Sequence, residues 1–157
     1  MSGFVTGDKE LIRKVGQLSQ MQLDRIMRKQ AEVVRAAAVY LVQVKTGELR
    51  GSIHTAVKHE RNGTQGVVYT NKEYAPYVEF GTGPVGQVNH GGISPHVRVS
   101  YRQDPWVYYD KRNERFVYTK GQPAQPYMYP ALKNNEKNIV RGFREDVERE
   151  IQKAVKL

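Results

Sequence analysis

Apolar side chains recur at multiples of three and four at both ends of the 157-residue chain, and this double helical period constrains the fold more than any other feature. From Asp8 to Val44 the stripe passes through Ile12, Val15, Leu23, Ile26, Val34, Ala37 and Leu41, with Asp8 placed as N-cap and no proline in the run. Toward the other end it passes through Leu132, Ile139, Phe143, Val147, Ile151 and Val155, with Pro130 in the first turn. The spacing predicts one long helix over 8–44, weakened at Gly16, Ser19 and Gln30, and a second over 127–155.

Between them the period changes to two. Thr46 and Gly47 close the first helix, and Thr46 is placed to cap a short turn through Leu49 and Arg50. Ile53, Thr55 and Val57 then alternate as a strand, Asn62-Gly63 turns the chain through a connection read as longer than two residues, and Gly66 to Thr70 returns. Glu73 to Phe80 reads as a short helix with Gly81 as its stop. Residues 81–96, with Gly81, Gly83, Gly86, Gly91 and Gly92, read as a long surface loop. Val97 to Arg102 reads as a strand, and Trp106 to Asp110 with Arg115 to Thr119 as a second hairpin. The expected fold is a single α+β domain over 1–157, with the long N-terminal and C-terminal helices packed on an antiparallel sheet of hairpins within 46–120.

Charge and composition narrow the chemistry. The formal charge is +9, with the excess in residues 1–50 and 101–157, which favours polyanionic neighbours. No cysteine is present, so disulfides, thiolate metal sites and cysteine nucleophiles are excluded. The longest apolar run, Ala36 to Val42, is far short of the roughly 20 residues that span a bilayer, and Asp8, Lys9 and Glu10 occupy the place of a signal peptide's apolar stretch. A soluble chain without a membrane partner is expected.

Several catalytic patterns have bland readings. Gly81-Thr82-Gly83-Pro84-Val85-Gly86 spells G-x-G-x-x-G, yet it follows a short helix in place of a strand and is read as leading into Asn89-His90-Gly91-Gly92 in place of a helix. Ser94 with His96 lacks the glycine of a nucleophile elbow, and Ser94-Pro95 reads as a turn. His54 and His59 lie five apart on an alternating strand and so face opposite ways. The acids between Glu145 and Glu150 interleave with arginines at helical spacing as a solvated, salt-bridged face. No catalysis, cofactor or metal is expected. The aromatic residues are more telling: eight of fifteen lie between Tyr101 and Tyr129, and on a two-stranded ribbon Trp106 and Tyr108 share one face while Val107 and Tyr109 share the other.

Three blocks complete the reading: Thr46-Gly47-Glu48-Leu49-Arg50-Gly51-Ser52-Ile53, Tyr74-Ala75-Pro76-Tyr77-Val78-Glu79-Phe80-Gly81-Thr82-Gly83, and Gln125-Pro126-Tyr127-Met128-Tyr129-Pro130-Ala131-Leu132. In this order, between a long basic helix and an amphipathic one, they resemble the neck or tail-completion (head-to-tail joining, minor tail) proteins of long-tailed bacteriophages. The resemblance is looser from Pro84 to Lys120. It implies a structural virion protein of the neck or upper tail, made in the host cytoplasm. Copies would form a homo-oligomeric ring, sixfold or twelvefold, joining the tail tube to head connector proteins around the DNA passage. The candidate interface comprises Tyr77, Glu79, Phe80, Gly81, Thr82 and Gly83 as a shaped turn, with Trp106, Tyr108 and Phe116 as aromatic contacts. Arg25, Arg28 and Arg35 are the candidates for nonspecific contact with packaged DNA. The alternative is a nonspecific nucleic-acid-binding module using the basic helix faces; a small hydrolase acting through Ser94 or a histidine cluster is the third.

Overall fold

The computed structural model describes residues 9–43 and 47–156. In chain order it contains α1 (Lys9–Val15), α2 (Gln20–Leu41), α3 (Glu48–Gly51), β1 (Ile53–Glu60), β2 (Gly63–Thr70), α4 (Ala75–Phe80), α5 (Gly83–Val88), β3 (Trp106–Asp110), β4 (Arg115–Thr119) and α6 (Met128–Val155). The α+β class holds, with the strands in two separate two-stranded antiparallel sheets, β1-β2 and β3-β4.

The stretch expected as one helix over 8–44 is two. Backbone bonds tighten at the end of α1, where the Gln17 and Leu18 amides reach back only three residues to Lys14 and Val15. Ser19 then starts a new helix with reciprocal bonds: its Oγ accepts from the Gln22 amide (3.3 Å), and Gln22 Oε1 accepts from the Ser19 amide (2.9 Å). This capping box satisfies two amide donors that an uninterrupted helix would have bonded itself. The break also shifts the stripe, so Leu11 is buried and Ile12 exposed. Asp8, Val44 and Thr46, read as cap and boundary residues, lie outside the described residues.

Packing divides the described residues into two compact units, one of residues 9–37, 53–69 and 131–156, the other of 38–43, 47–52 and 70–130. In the first, α2 carries the β1-β2 hairpin on one face and α6 on another. Leu11, Ile26 and Val147 are buried together, with Val15, Leu18, Phe143 and Ile151 around them. Asp146 does not belong to the solvated face expected of it: where α2 meets α6 it is buried, and its carboxylate accepts from Lys29 Nζ (2.7 Å), Gln30 Nε2 (3.0 Å) and Arg149 Nη1 (3.0 Å). A carboxylate so enclosed is tolerable because its oxygens are fully engaged, and it fixes the axial register of the two helices. Gly142 lets α6 approach closely: a Cβ there would lie 2.9 Å from Gln30 Oε1.

The hairpin side of α2 is mostly polar. Thr55 Oγ1 donates to Glu32 (2.5 Å), Gln20 Nε2 donates to Thr64 Oγ1 (2.9 Å), and Asp24 meets His59 at 3.4 Å. His54 instead pairs with Tyr69 on the outward face, so the two histidines do point opposite ways. Arg61-Asn62 connects β1 to β2 in two residues, shorter than the expected turn.

In the second unit Ala38, Val42, Leu49, Ala75 and Tyr127 are buried. Arg50 donates to the carbonyls of Val39 (3.0 Å) and Val42 (3.5 Å), which have no intrahelical partner at the end of α2. Two expectations fail here. Residues 81–96 do not form one long loop, because Gly83–Val88 fold into α5; glycine composition suggested a loop, whereas these glycines serve close packing. Val97 to Arg102 is not a strand: its β-forming residues have no neighbouring ladder, and the segment is held by Tyr101 Oη donating to the Phe80 carbonyl (2.8 Å).

Candidate assembly surface

The shaped turn and the start of α6 are built into one another. Glu79, on α4, is buried, and its carboxylate accepts from the amides of Tyr127 (2.7 Å), Met128 (2.9 Å) and Tyr129 (3.0 Å). These are orphan donors of the first turn of α6, where the helix dipole also favours a negative charge. The second and third sequence blocks therefore meet through one side chain. Burial, with the Glu79 charge next in effect, pushes the Tyr127 phenol up to about 12.

Backbone bonds extend the junction. Thr82 and Gln122 pair as an antiparallel bridge, with amide-to-carbonyl distances of 2.9 and 3.1 Å, the Gln125 amide donates to Val78 (2.8 Å), and the Ala124 amide to Asn89 (2.8 Å). Contrary to the sequence reading, the G-x-G-x-x-G stretch does open a helix, α5. That helix has only six residues, and its glycines touch protein: a Cβ at Gly81 would lie 2.7 Å from the Ala124 nitrogen, and one at Gly86 would lie 3.0 Å from the Gln122 oxygen. Ser94 Oγ accepts from the His96 amide (3.3 Å), the turn its sequence suggested.

The second hairpin has two unlike faces. Its register sets Trp106 opposite Thr119, Val107 opposite Tyr118, Tyr108 opposite Val117 and Tyr109 opposite Phe116. Trp106, Tyr108, Val117 and Thr119 make the inner face, because Trp106 lies against Gly83, where a Cβ would come within 2.8 Å of Cζ3. The Arg102 guanidinium sits 5.4 Å from the Trp106 ring centroid. On the outer face Val107 is 58% exposed, Tyr109 48%, Phe116 76% and Tyr118 64%. Tyr109 and Phe116 pack edge to face at 5.1 Å. At the turn, Asp110 accepts from the Arg112 and Asn113 amides and from Asn113 Nδ2, and the Asn113 side chain leads in holding its carboxyl below the ordinary value.

The candidate residues thus sort by position. Glu79, Gly81 and Gly83 are buried, Phe80 and Thr82 half-buried, and Tyr77 exposed. Trp106 and Tyr108 are on the inner face, where Tyr108 is as exposed as Tyr109 is on the other, and Phe116 is on the outer one. Sequence reasoning passed over Val107, Tyr109 and Tyr118 as contacts, although strand alternation already put Val107 and Tyr109 together. Of the arginines, Arg25 and Arg28 are exposed on α2, while Arg35 Nε pairs with Glu32 at 2.6 Å. Among the described residues no cluster of His, Asp or Glu could hold a metal ion, and no helix is long and apolar enough to cross a membrane.

Residues 9–81 fit the HK97-gp10-like family model, described as "Bacteriophage HK97-gp10, putative tail-component". No curated protein and no solved structure matches. The matched stretch contains the first sequence block and the second as far as Gly81. Over residues 9–81 the chain therefore carries the pattern of a phage tail-component family, consistent with the neck and tail-completion proteins it resembles.

Proposed function

We propose that this chain is a structural protein of the virion neck that completes the tail and joins it to the head, assembling as a ring of like copies around the DNA passage. The observation that carries the reading is the tail-component match over residues 9–81. The resemblance of the third block, beyond that stretch, adds to it. In this reading Tyr77, Tyr108 and Phe116 are surface contacts, whereas Glu79, Phe80, Gly81, Thr82, Gly83 and Trp106 shape the surface from within. Arg25 and Arg28 face DNA more effectively than Arg35, whose charge is shared with Glu32. The protein runs no reaction of its own.

The test is deletion of the coding sequence followed by complementation, with particles counted by electron microscopy. The expected result is filled heads and tails left unjoined, or tails of faulty length, restored on complementation. Normal infectious particles in its absence would overturn the reading. Nonspecific nucleic-acid binding is favoured by one observation, the +9 charge. In the assembly reading that binding is weak, indifferent to sequence and lost as salt rises, since it acts through counterion release.

A further inference from the structure

We infer that the outer face of the β3-β4 hairpin docks an acidic surface of a different virion protein, through Val107, Tyr109, Phe116 and Tyr118. The inference rests on the assembly reading and names the chemistry of the partner. A two-stranded ribbon gains little stability alone, so four apolar side chains left open on one face are a cost to the free chain. Three half-open or more open rings leave on the order of 400 Å² of aromatic surface uncovered, about half of what one side of a standard protein interface buries. The rings can therefore form the centre of an interface whose remaining area comes from a rim.

That rim selects the occupant. Lys111, Arg112 and Lys120 are exposed at the two ends of the outer face, while Arg115, opposite Asp110, belongs to the inner one. Of the two acids there, Asp110 is engaged in the turn, and Glu114 sits at the tip. A second copy placed face to face would set these three cations against the same three, in a chain already at +9. Nucleic acid would suit the cations, but Tyr109 and Phe116 stand at 63° to one another, and a row of stacked bases requires ring faces turned outward in parallel. Apolar side chains within an acidic border satisfy both the rings and the rim.

The chain contains no cysteine, so one introduced thiol is unique. Tyr118→Cys places it on the outer face, and Gln65→Cys places a control on the exposed outward side of the β1-β2 hairpin. Each variant, carrying a thiol-linked photo-cross-linker, complements the deletion, and purified particles are illuminated and their adducts sequenced. The expected result is a Tyr118→Cys adduct to one virion protein of different sequence at an acid-rich segment, with about tenfold less from Gln65→Cys. Lys111→Glu with Arg112→Glu should lower incorporation about tenfold at unchanged thermal midpoint. Adducts to the chain's own copies, to DNA or to nothing, equal yields from both positions, or full incorporation of the charge-reversed variant each overturn the inference while leaving the assembly reading intact. Absence of the chain from particles overturns both.

Discussion

The two hairpins of this protein invert the usual relation between apolar content and cover. The β1-β2 hairpin is rich in threonine, glycine and charge, yet one of its faces lies along α2, joined by Thr55-Glu32, Gln20-Thr64 and the close passage of Gly66 over Met27. The β3-β4 hairpin is far more aromatic, and its outer face stays exposed at Val107, Tyr109, Phe116 and Tyr118. A sheet face is covered because a complementary element reaches it, not because it is hydrophobic. Exposed apolar surface grouped on one face is what marks interaction sites on proteins in general.

The sharpest way to break this comparison is to detach the second hairpin from within. Gly83 has φ of 61°, and a Cβ would lie 2.5 Å from the Lys120 oxygen as well as against Trp106. Gly83→Ala should cost roughly 3 kcal/mol, combining left-handed strain with overpacking. Chemical denaturation gives the cost, and hydrogen exchange should show β3 and β4 opening while β1 and β2 stay protected. Equal loss in both hairpins would show that their attachments are not separate.

Alkali should act next, on the junction that follows the second hairpin. The Tyr127 phenol titrates near 12 when folded and near 10 when unfolded, so its contribution is complete below pH 10 and is lost as pH rises toward 12. Two units correspond to about 3 kcal/mol at most. Unfolding measured from pH 9 to 11 should therefore fall less steeply for Tyr127→Phe than for the unaltered chain; identical slopes would remove the effect.

For the first hairpin, Gly66→Ala puts a Cβ 2.9 Å from the Met27 carbonyl and 3.3 Å from Ala31 Cβ. Because the obstacle is helix backbone, the expected cost is about 2 kcal/mol, with exchange quickening in β1 and β2. An unchanged midpoint would mean that the hairpin rides higher on α2 than the contact implies.

Acid gives a gentler test of the same contact. Thr55, then Arg35, holds the Glu32 carboxyl below its ordinary value of 4.5, so this tie is intact above that pH and is lost as pH falls through the lowered folded value. β1 amides near Thr55 should lose protection at low pH sooner in the unaltered chain than in Glu32→Gln, relative to each protein at neutral pH. The smallest effect belongs to the open face: Phe116→Ser should change stability by less than about 0.5 kcal/mol by thermal unfolding. A loss several times larger would make that ring part of the fold.

Periodicity made α6 and most of α2 legible, because each buries one stripe and a stripe is a local property. The break at Gly16–Ser19 was also written locally, in Ser19 and Gln22, but it competes with an apolar repeat that runs straight through it. The glycines of α5 could not be distinguished from those of a loop by composition; what sets them apart is the backbone of residues 120–124 pressing on them. Glu79 looked like a surface contact for the same reason, since the amides it receives lie 48–50 residues away. Alternation placed Val107 with Tyr109, while only the contact of Trp106 with Gly83 decides which face is inside.

The Thr82-Gln122 bridge has a consequence for how such a chain can change. The two ends of the intervening 39 residues are already side by side, and the tail-component match, which includes Glu79, ends one residue before the bridge. Lengthening or replacing a segment with tethered ends adds only a slowly growing entropic cost, roughly 0.6 kcal/mol for each doubling of length. Length is therefore cheapest to add in the parts of the segment that lie away from Gly86, Asn89 and Tyr101, since these three bind it to residues outside its ends.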